Sequence, residues 1–231
     1  MIIGSGLLAS AFRVPFQQRD DVCIFAAGVS NSSCTNLAEF ERDRTRLIAS
    51  LNKAADMAAF VYFGTCSVDD HEVRHTHYVQ HKLAMEQLVA QHPHALILRL
   101  PQLAGNTPNP HTLLNFLYAR IARGEAFSVW RNAYRNIIDV KDVATLTGLL
   151  IDNPAMRRCT LNLANPDSYV MQDIVRAMEQ VVGKPAIYDV LERGYHYPID
   201  VTVMLSILTK TDILFDNHYL NRVLSKYYEK P

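Results

Sequence analysis

The sequence predicts an α/β protein: a shortened parallel sheet covered by helices on both faces, with a smaller lobe built mostly from its later residues. Three observations carry this. In the first hundred residues, short apolar runs alternate with amphipathic stretches. Those runs are continuous rather than alternating, as in strands buried on both faces. After Pro101 the character changes, and turn-forming residues accumulate in QLAGNTPNPHT.

Residues 1–3 start the first strand and residues 7–12 open a helix. Residues 22–28 (VCIFAAG) form a buried strand. Leu37, Phe40, Leu47, Leu51, Ala54, Ala55 and Ala58 recur at helical spacing, which predicts a helix over 36–58. A strand follows at 59–65, then a helix over 78–92 stopped by Pro93, then a strand at 95–100 ended by Pro101. Beyond it the pattern predicts a helix over 113–123, a strand at 126–130, and a strand then a helix through 136–152. A strand at 159–165 and a helix over 171–183, closed by Gly183, complete the clear pattern. Residues 185–231 alternate less clearly. Residues 1–105, with 136–165 returning to them, are expected to form the core. Residues 106–135 and 166–231 are expected to form the lobe.

Bulk composition narrows the function. Apolar residues make up 49% and charged residues 20% of 231, an ordinary globular balance with ample core. Lysine plus arginine equals aspartate plus glutamate at 23 each, so no basic field recruits nucleic acid. No apolar run is long enough to span a bilayer. The opening MIIGSGLLASAF lacks a basic leader and carries two glycines, which fits a strand and turn better than a signal peptide. Cys23, Cys34, Cys66 and Cys159 show no paired spacing, so a disulfide framework is not expected and a cytoplasmic setting is.

Two local patterns point to chemistry. Gly4-x-Gly6-x-x-Ala9 follows a strand and opens a helix, the setting a dinucleotide fingerprint requires. The alternative is a small-residue turn with no ligand. The carboxylate that usually meets the adenosine ribose is missing, because counting on from Gly6 lands at Ala26 and Ala27. The second pattern is Tyr78 four positions before Lys82, hence on one helix face, just after a strand ending in Thr65. A neighbouring ammonium stabilises a phenolate and lowers its pKa, making the phenol usable for proton transfer. Chance is the alternative, since both residues are common.

Other residues are weaker candidates. His71, His75, His77 and His81 crowd one stretch, and a polar rim is expected there rather than a metal. Asp139 and Asp142 could act as a carboxylate pair, but a helix cap at Asp142 is the simpler expectation. Arg131 and Arg135 flank Trp130 and Tyr134, which could stack a nucleobase or form a solvated loop around a buried tryptophan.

Seven stretches in one order resemble the extended short-chain dehydrogenase/reductase superfamily, in particular its NAD-dependent epimerase/dehydratase family. They are GSGLLA, DVCIFAAG, VYFGTCSV, YVQHK, LRLPQLAG, RNIIDVKDVA and LNLANPDSYVMQDIVRAMEQVVGK. The resemblance implies a Rossmann-like fold with a substrate-binding lobe, NAD or NADP as cofactor, and a nucleotide-sugar substrate. It implies Thr65 as the hydroxyl orienting the substrate, Tyr78 as acid/base, and Lys82 as the group that binds ribose and tunes Tyr78. Gly4, Gly6, Leu7, Leu8 and Ala9 would meet the cofactor, with Ala26, Ala27 and Pro101 lining it. Ser30, Asn31, Gln102 and Arg135 would touch substrate, Arg135 gripping a diphosphate. Helices 36–58 and 78–92 would build a homodimer.

Departures accompany the likeness. A whole strand–helix–strand is missing between the glycine turn and Ala26, so the adenosine side is expected to be open. Cys66 and Ser67 stand where dehydratases of the family carry Asp-Glu. A keto-sugar reductase or epimerase in polysaccharide precursor synthesis is therefore expected, and a catalytically inactive binding or regulatory protein is the alternative.

Overall fold

The computed structural model describes residues 1–229. The chain runs β1 (Ile2–Ile3), α1 (Leu7–Arg13), β2 (Val22–Phe25), α2 (Leu37–Lys53), β3 (Ala59–Thr65), a 3-10 turn (Cys66–Asp69), α3 (His77–Val89) and β4 (Ala95–Leu100). It continues with β5 (Gln102–Ala104), α4 (Leu113–Arg123), β6 (Phe127–Trp130), β7 (Tyr134–Arg135), β8 (Ile137–Asp139) and α5 (Val140–Ile151). The last elements are β9 (Cys159–Asn162), β10 (Tyr169–Val170), α6 (Met171–Val182), β11 (Tyr188–Leu191), α7 (Thr202–Leu208) and α8 (Tyr219–Tyr228).

Five strands make one parallel sheet in the order β1-β2-β3-β4-β9. Central β3 is buried along its whole length. Its Val61 and Phe63 join Phe12 of α1, Leu146 of α5 and Met204 of α7 on one face. Its Phe60 and Tyr62 join Leu47 of α2 and Met85 of α3 on the other. Burial on both faces explains why this run shows no polar alternation. A separate apolar cluster joins α4, β6, α6 and α8 and forms the lobe. Short ladders β5–β8, β6–β11 and β7–β10 stand beside the sheet.

Elements expected from the pattern occur, with trimmed ends. The strand expected over 22–28 stops at Phe25, and the helix expected over 36–58 stops at Lys53. Residues 202–208 fall in the stretch expected to build the lobe, yet Met204 and Ile207 bury themselves in the core of the sheet. The cap of α5 is Asp139 rather than the expected Asp142, because the helix begins at Val140. Asp139 accepts the Lys141 N–H at 2.8 Å, while Asp142 accepts the Tyr219 hydroxyl at 2.7 Å. Trp130, expected to be buried if its loop is only structural, is 39% exposed. No helix among the described residues is long and apolar enough to cross a membrane.

Candidate active site

A crevice of about 500 Å3 opens at the carboxyl ends of β3 and β4. Parallel strands deliver their last residues to the same side, so Thr65 from β3 and Leu100-Pro101 from β4 arrive together. The turn after Thr65 leads into α3. Thr76 caps that helix by accepting the Val79 N–H at 3.4 Å. The first helical turn then carries Tyr78 to the crevice and the next carries Lys82.

The crevice gathers most of the expected residues: Thr65, Tyr78 and Lys82, with Leu8, Ala27 and Pro101, and also Ser30, Gln102 and Arg135. Gly4, Gly6, Leu7, Ala9, Ala26 and Asn31 do not line it. Gly4 holds φ +129°, and a β-carbon there would meet the Ala26 carbonyl oxygen at 2.7 Å. Its immediate duty is thus to let β1 turn beside β2. Ala9 is fully buried, a small residue that lets α1 lie close on the sheet. A β-carbon at Gly6 would meet nothing within 4 Å among the described residues, so the space above the turn is open to that extent. Asn31 is exposed and accepts the Ser33 N–H at 3.0 Å.

Electrostatics differ from expectation at the centre. The Tyr78 phenol is 9% exposed, and burial pushes its pKa up to about 12. The Thr65 hydroxyl pulls it down by hydrogen bonding, while the charge of Asp43 adds to the rise. Burial outweighs the lowering expected from Lys82, whose ammonium has other partners. It donates to the Phe63 carbonyl at 3.0 Å and sits 5.2 Å from the centre of the Tyr62 ring. Burial lowers the Lys82 pKa, and Asp43 and Glu86 oppose that. Thr65 accepts the Ser67 N–H at 3.2 Å, which leaves its own proton to give.

The opposite wall comes from residues that the sequence left unmarked. Asn136 donates to the Asn165 carbonyl at 2.7 Å and accepts the Asn165 N–H at 3.0 Å, fixing the loop that brings in Ser168. Tyr197 enters from a segment that crosses back from the lobe. Its neighbour Tyr195 packs at a tilt against His71, ring centroids 4.5 Å apart, and His196 meets Tyr134 at 4.7 Å. Burial lifts the Tyr197 pKa to about 12. The aromatic run YHYP was its only signal. Of the expected nucleobase group, Tyr134 and Arg135 reach the crevice, whereas Arg131 pairs with Glu192 at 2.5 Å.

Two of the other histidines have separate partners: His75 accepts from Arg74 at 3.1 Å, and His81 pairs with Asp43 at 2.9 Å. A larger groove of about 830 Å3 lies elsewhere, between the segment that follows α1, α5, residues 210–214 and α8, and holds none of Thr65, Tyr78 or Lys82. Two of its acids are already matched, Asp139 by Lys226 and Tyr227, Asp142 by Tyr219.

A parallel sheet presenting a hydroxyl, a phenol and a buried ammonium at its carboxyl edge is the architecture of a protein of the short-chain dehydrogenase/reductase type. The model of the NAD dependent epimerase/dehydratase family matches residues 12–164, more than half of the chain, and the chain belongs to that family. The match begins after the glycine turn. No curated protein matches at the sequence level. Solved structures share the fold at low identity. UDP-glucose 4-epimerase from Thermus thermophilus, in complex with NAD, superposes with a TM-score of 0.70 at 13% identity, over 96% of this chain and 81% of that one. UDP-glucuronic acid 4-epimerase from Bacillus cereus, with UDP-glucuronic acid and NAD, gives 0.71 at 16%, over 93% and 76%. GDP-mannoheptose C4 reductase from Campylobacter jejuni, with NADP bound, gives 0.73 at 13%, over 97% of both chains.

The residues present fit one half of such a cofactor. Ala27, Thr65, Tyr78, Lys82 and Pro101 surround space suited to a nicotinamide and its ribose. The sheet ends at β1, so no further strand among the described residues supports the adenosine half.

Proposed function

We propose that the protein is a keto-sugar reductase acting on a nucleotide-linked sugar in polysaccharide precursor synthesis, in the cytoplasm, with NAD or NADP. When bound, the cofactor supplies the hydride. Thr65 orients the carbonyl oxygen of the substrate, and Tyr78 delivers the proton that turns it into a hydroxyl. Lys82 holds the nicotinamide ribose. Arg135 grips the diphosphate in the fork geometry that guanidinium offers, with Gln102 and Ser30 at the sugar.

One observation carries this reading: Thr65, Tyr78, Lys82, Gln102 and Arg135 share a single crevice. The phenol is compatible with the direction of reduction. A buried tyrosine with a pKa of about 12 is protonated at neutral pH, hence a donor, which is what reduction asks of it. Reduction should therefore proceed across neutral pH and fall only as the phenol ionises, whereas the reverse oxidation should speed up with rising pH. The reductase neighbour, matched over 97% of its own length, supports the same choice. Epimerisation is the nearest alternative chemistry.

The experiment is a thermal-shift panel of NAD, NADP, their reduced forms and common nucleotide sugars, because ligands of the native state raise Tm by mass action. Turnover of a keto-sugar nucleotide by the wild type but not by Tyr78→Phe supports the enzyme. No shift with any ligand favours the second reading, an inactive binding protein, for which the sheet ending at β1 is the motivating observation. A homodimer through α2 and α3 belongs to the same proposal. Leu37 and Ile48 stand exposed on α2, and light scattering that finds only monomer would remove it.

A further inference from the structure

A buried ammonium keeps its proton only if something compensates the lost hydration. Lys82 is 6% exposed. The charged and titratable groups around it come from three elements. Tyr78 and Glu86 share α3, Tyr62 faces it from β3, and Asp43 reaches it from α2. Glu86 is committed: Arg99 of β4 gives it three hydrogen bonds, at 2.8, 3.2 and 3.2 Å. Asp43 is the counter-charge that remains.

Its setting is built for that task. Asp43 is 5% exposed, and its Oδ1 is buried with no hydrogen-bond partner among the described residues. Its Oδ2 meets His81 Nε2 at 2.9 Å and accepts the Val29 N–H at 3.4 Å. The His81 ring is held in place by stacking on Phe40, with centroids 4.5 Å apart. One glycine separates the opposite charges. A β-carbon at Gly28 would lie 3.5 Å from Lys82 Nζ and 3.4 and 3.5 Å from the two Asp43 oxygens. Gly28 holds φ +133°, so the backbone itself excludes a side chain from that gap.

We infer that Asp43, locked in place by His81, is a positioning residue that keeps Lys82 an ammonium at the floor of the crevice. Asp43 touches no substrate. It acts through Lys82, and its importance for turnover rests on the function proposed above. Removing its charge leaves Lys82 buried without a free partner, so the ammonium loses its proton at lower pH. Removing the His81 donor destabilises the Asp43 carboxylate and works in the same direction, more weakly.

The test is 13Cε-lysine NMR of the full chain, with the Lys82 signal identified by its loss in Lys82→Met. In Asp43→Asn, the Lys82 titration is expected to move to lower pH by about one unit or more. His81→Phe, which keeps the stacking and loses the donor, moves it the same way, and His81→Gln, which keeps an amide donor, restores the wild-type value. A titration unchanged in Asp43→Asn, or moved upward, overturns the inference. Should Asp43→Asn fail to fold, His81→Phe decides alone, and no downward movement there overturns it. Neither cofactor nor substrate is needed. A silent ligand panel beside a shifted Lys82 therefore sinks the proposed function and leaves this inference standing, and the reverse result sinks only the inference.

Discussion

At the scale of single residues, Tyr78, Thr65 and Gly4 do separable jobs. Tyr78→Phe removes the proton donor and little packing. Steady-state kinetics are expected to show a loss of about 100-fold or more, with Tm nearly unchanged. Thr65→Val removes the hydroxyl that faces Tyr78, so the phenol pKa is expected to rise further, read as a shift in the tyrosinate absorbance titration. Gly4→Ala should leave catalytic groups in place yet cost about 1–3 kcal/mol, because a methyl would strike the Ala26 carbonyl in a backbone conformation L-residues avoid. Denaturant midpoints measure it. The gathering of Thr65, Tyr78 and Lys82 in one crevice was legible because their spacing is local: one helical turn between Tyr78 and Lys82, and a strand end at Thr65. Asp43 was not, since its meaning comes from Lys82 and His81, 39 and 38 positions away in the chain.

Among the elements, the long ones could be read and the short ones could not. β3 and β4 declare themselves as apolar runs, and α2 through its spacing. The two-residue strands β7 and β10 exist only because Tyr134 and Arg135 pair with Val170 and Tyr169 across the lobe, and no local pattern encodes that. The helix that brings Tyr78 and Lys82 to the crevice depends on its cap. Thr76→Ala is expected to cost about 1 kcal/mol and to loosen the first turn of α3, where Tyr78 sits. A fall in kcat larger than the fall in stability predicts would mark that loosening. Unchanged stability and unchanged turnover together would show that the cap does not hold the phenol in place.

For the whole molecule, the sequence conveyed a sheet core plus a lobe, but not that α7 leaves the lobe's stretch to pack on the sheet. Such assignments depend on tertiary burial rather than pattern. The buried and half-buried phenols make a global prediction. Tyr78, Tyr197 and Tyr228 each titrate near 12 when folded, and Tyr62 is raised as well, against an ordinary value of 10. An unfolded chain releases these protons first, so stability present below pH 10 is lost as pH climbs towards 12, at about 1.4 kcal/mol per unit for each group. A Tm that stays flat over that interval would contradict the burial of these rings. The two-residue β1 has one more consequence. An outermost strand with few free amides and carbonyls is a poor template for another chain to zip onto. Shortening the sheet thus leaves a blunt rim, and concentrated solutions are expected to stay clear rather than seed ribbons.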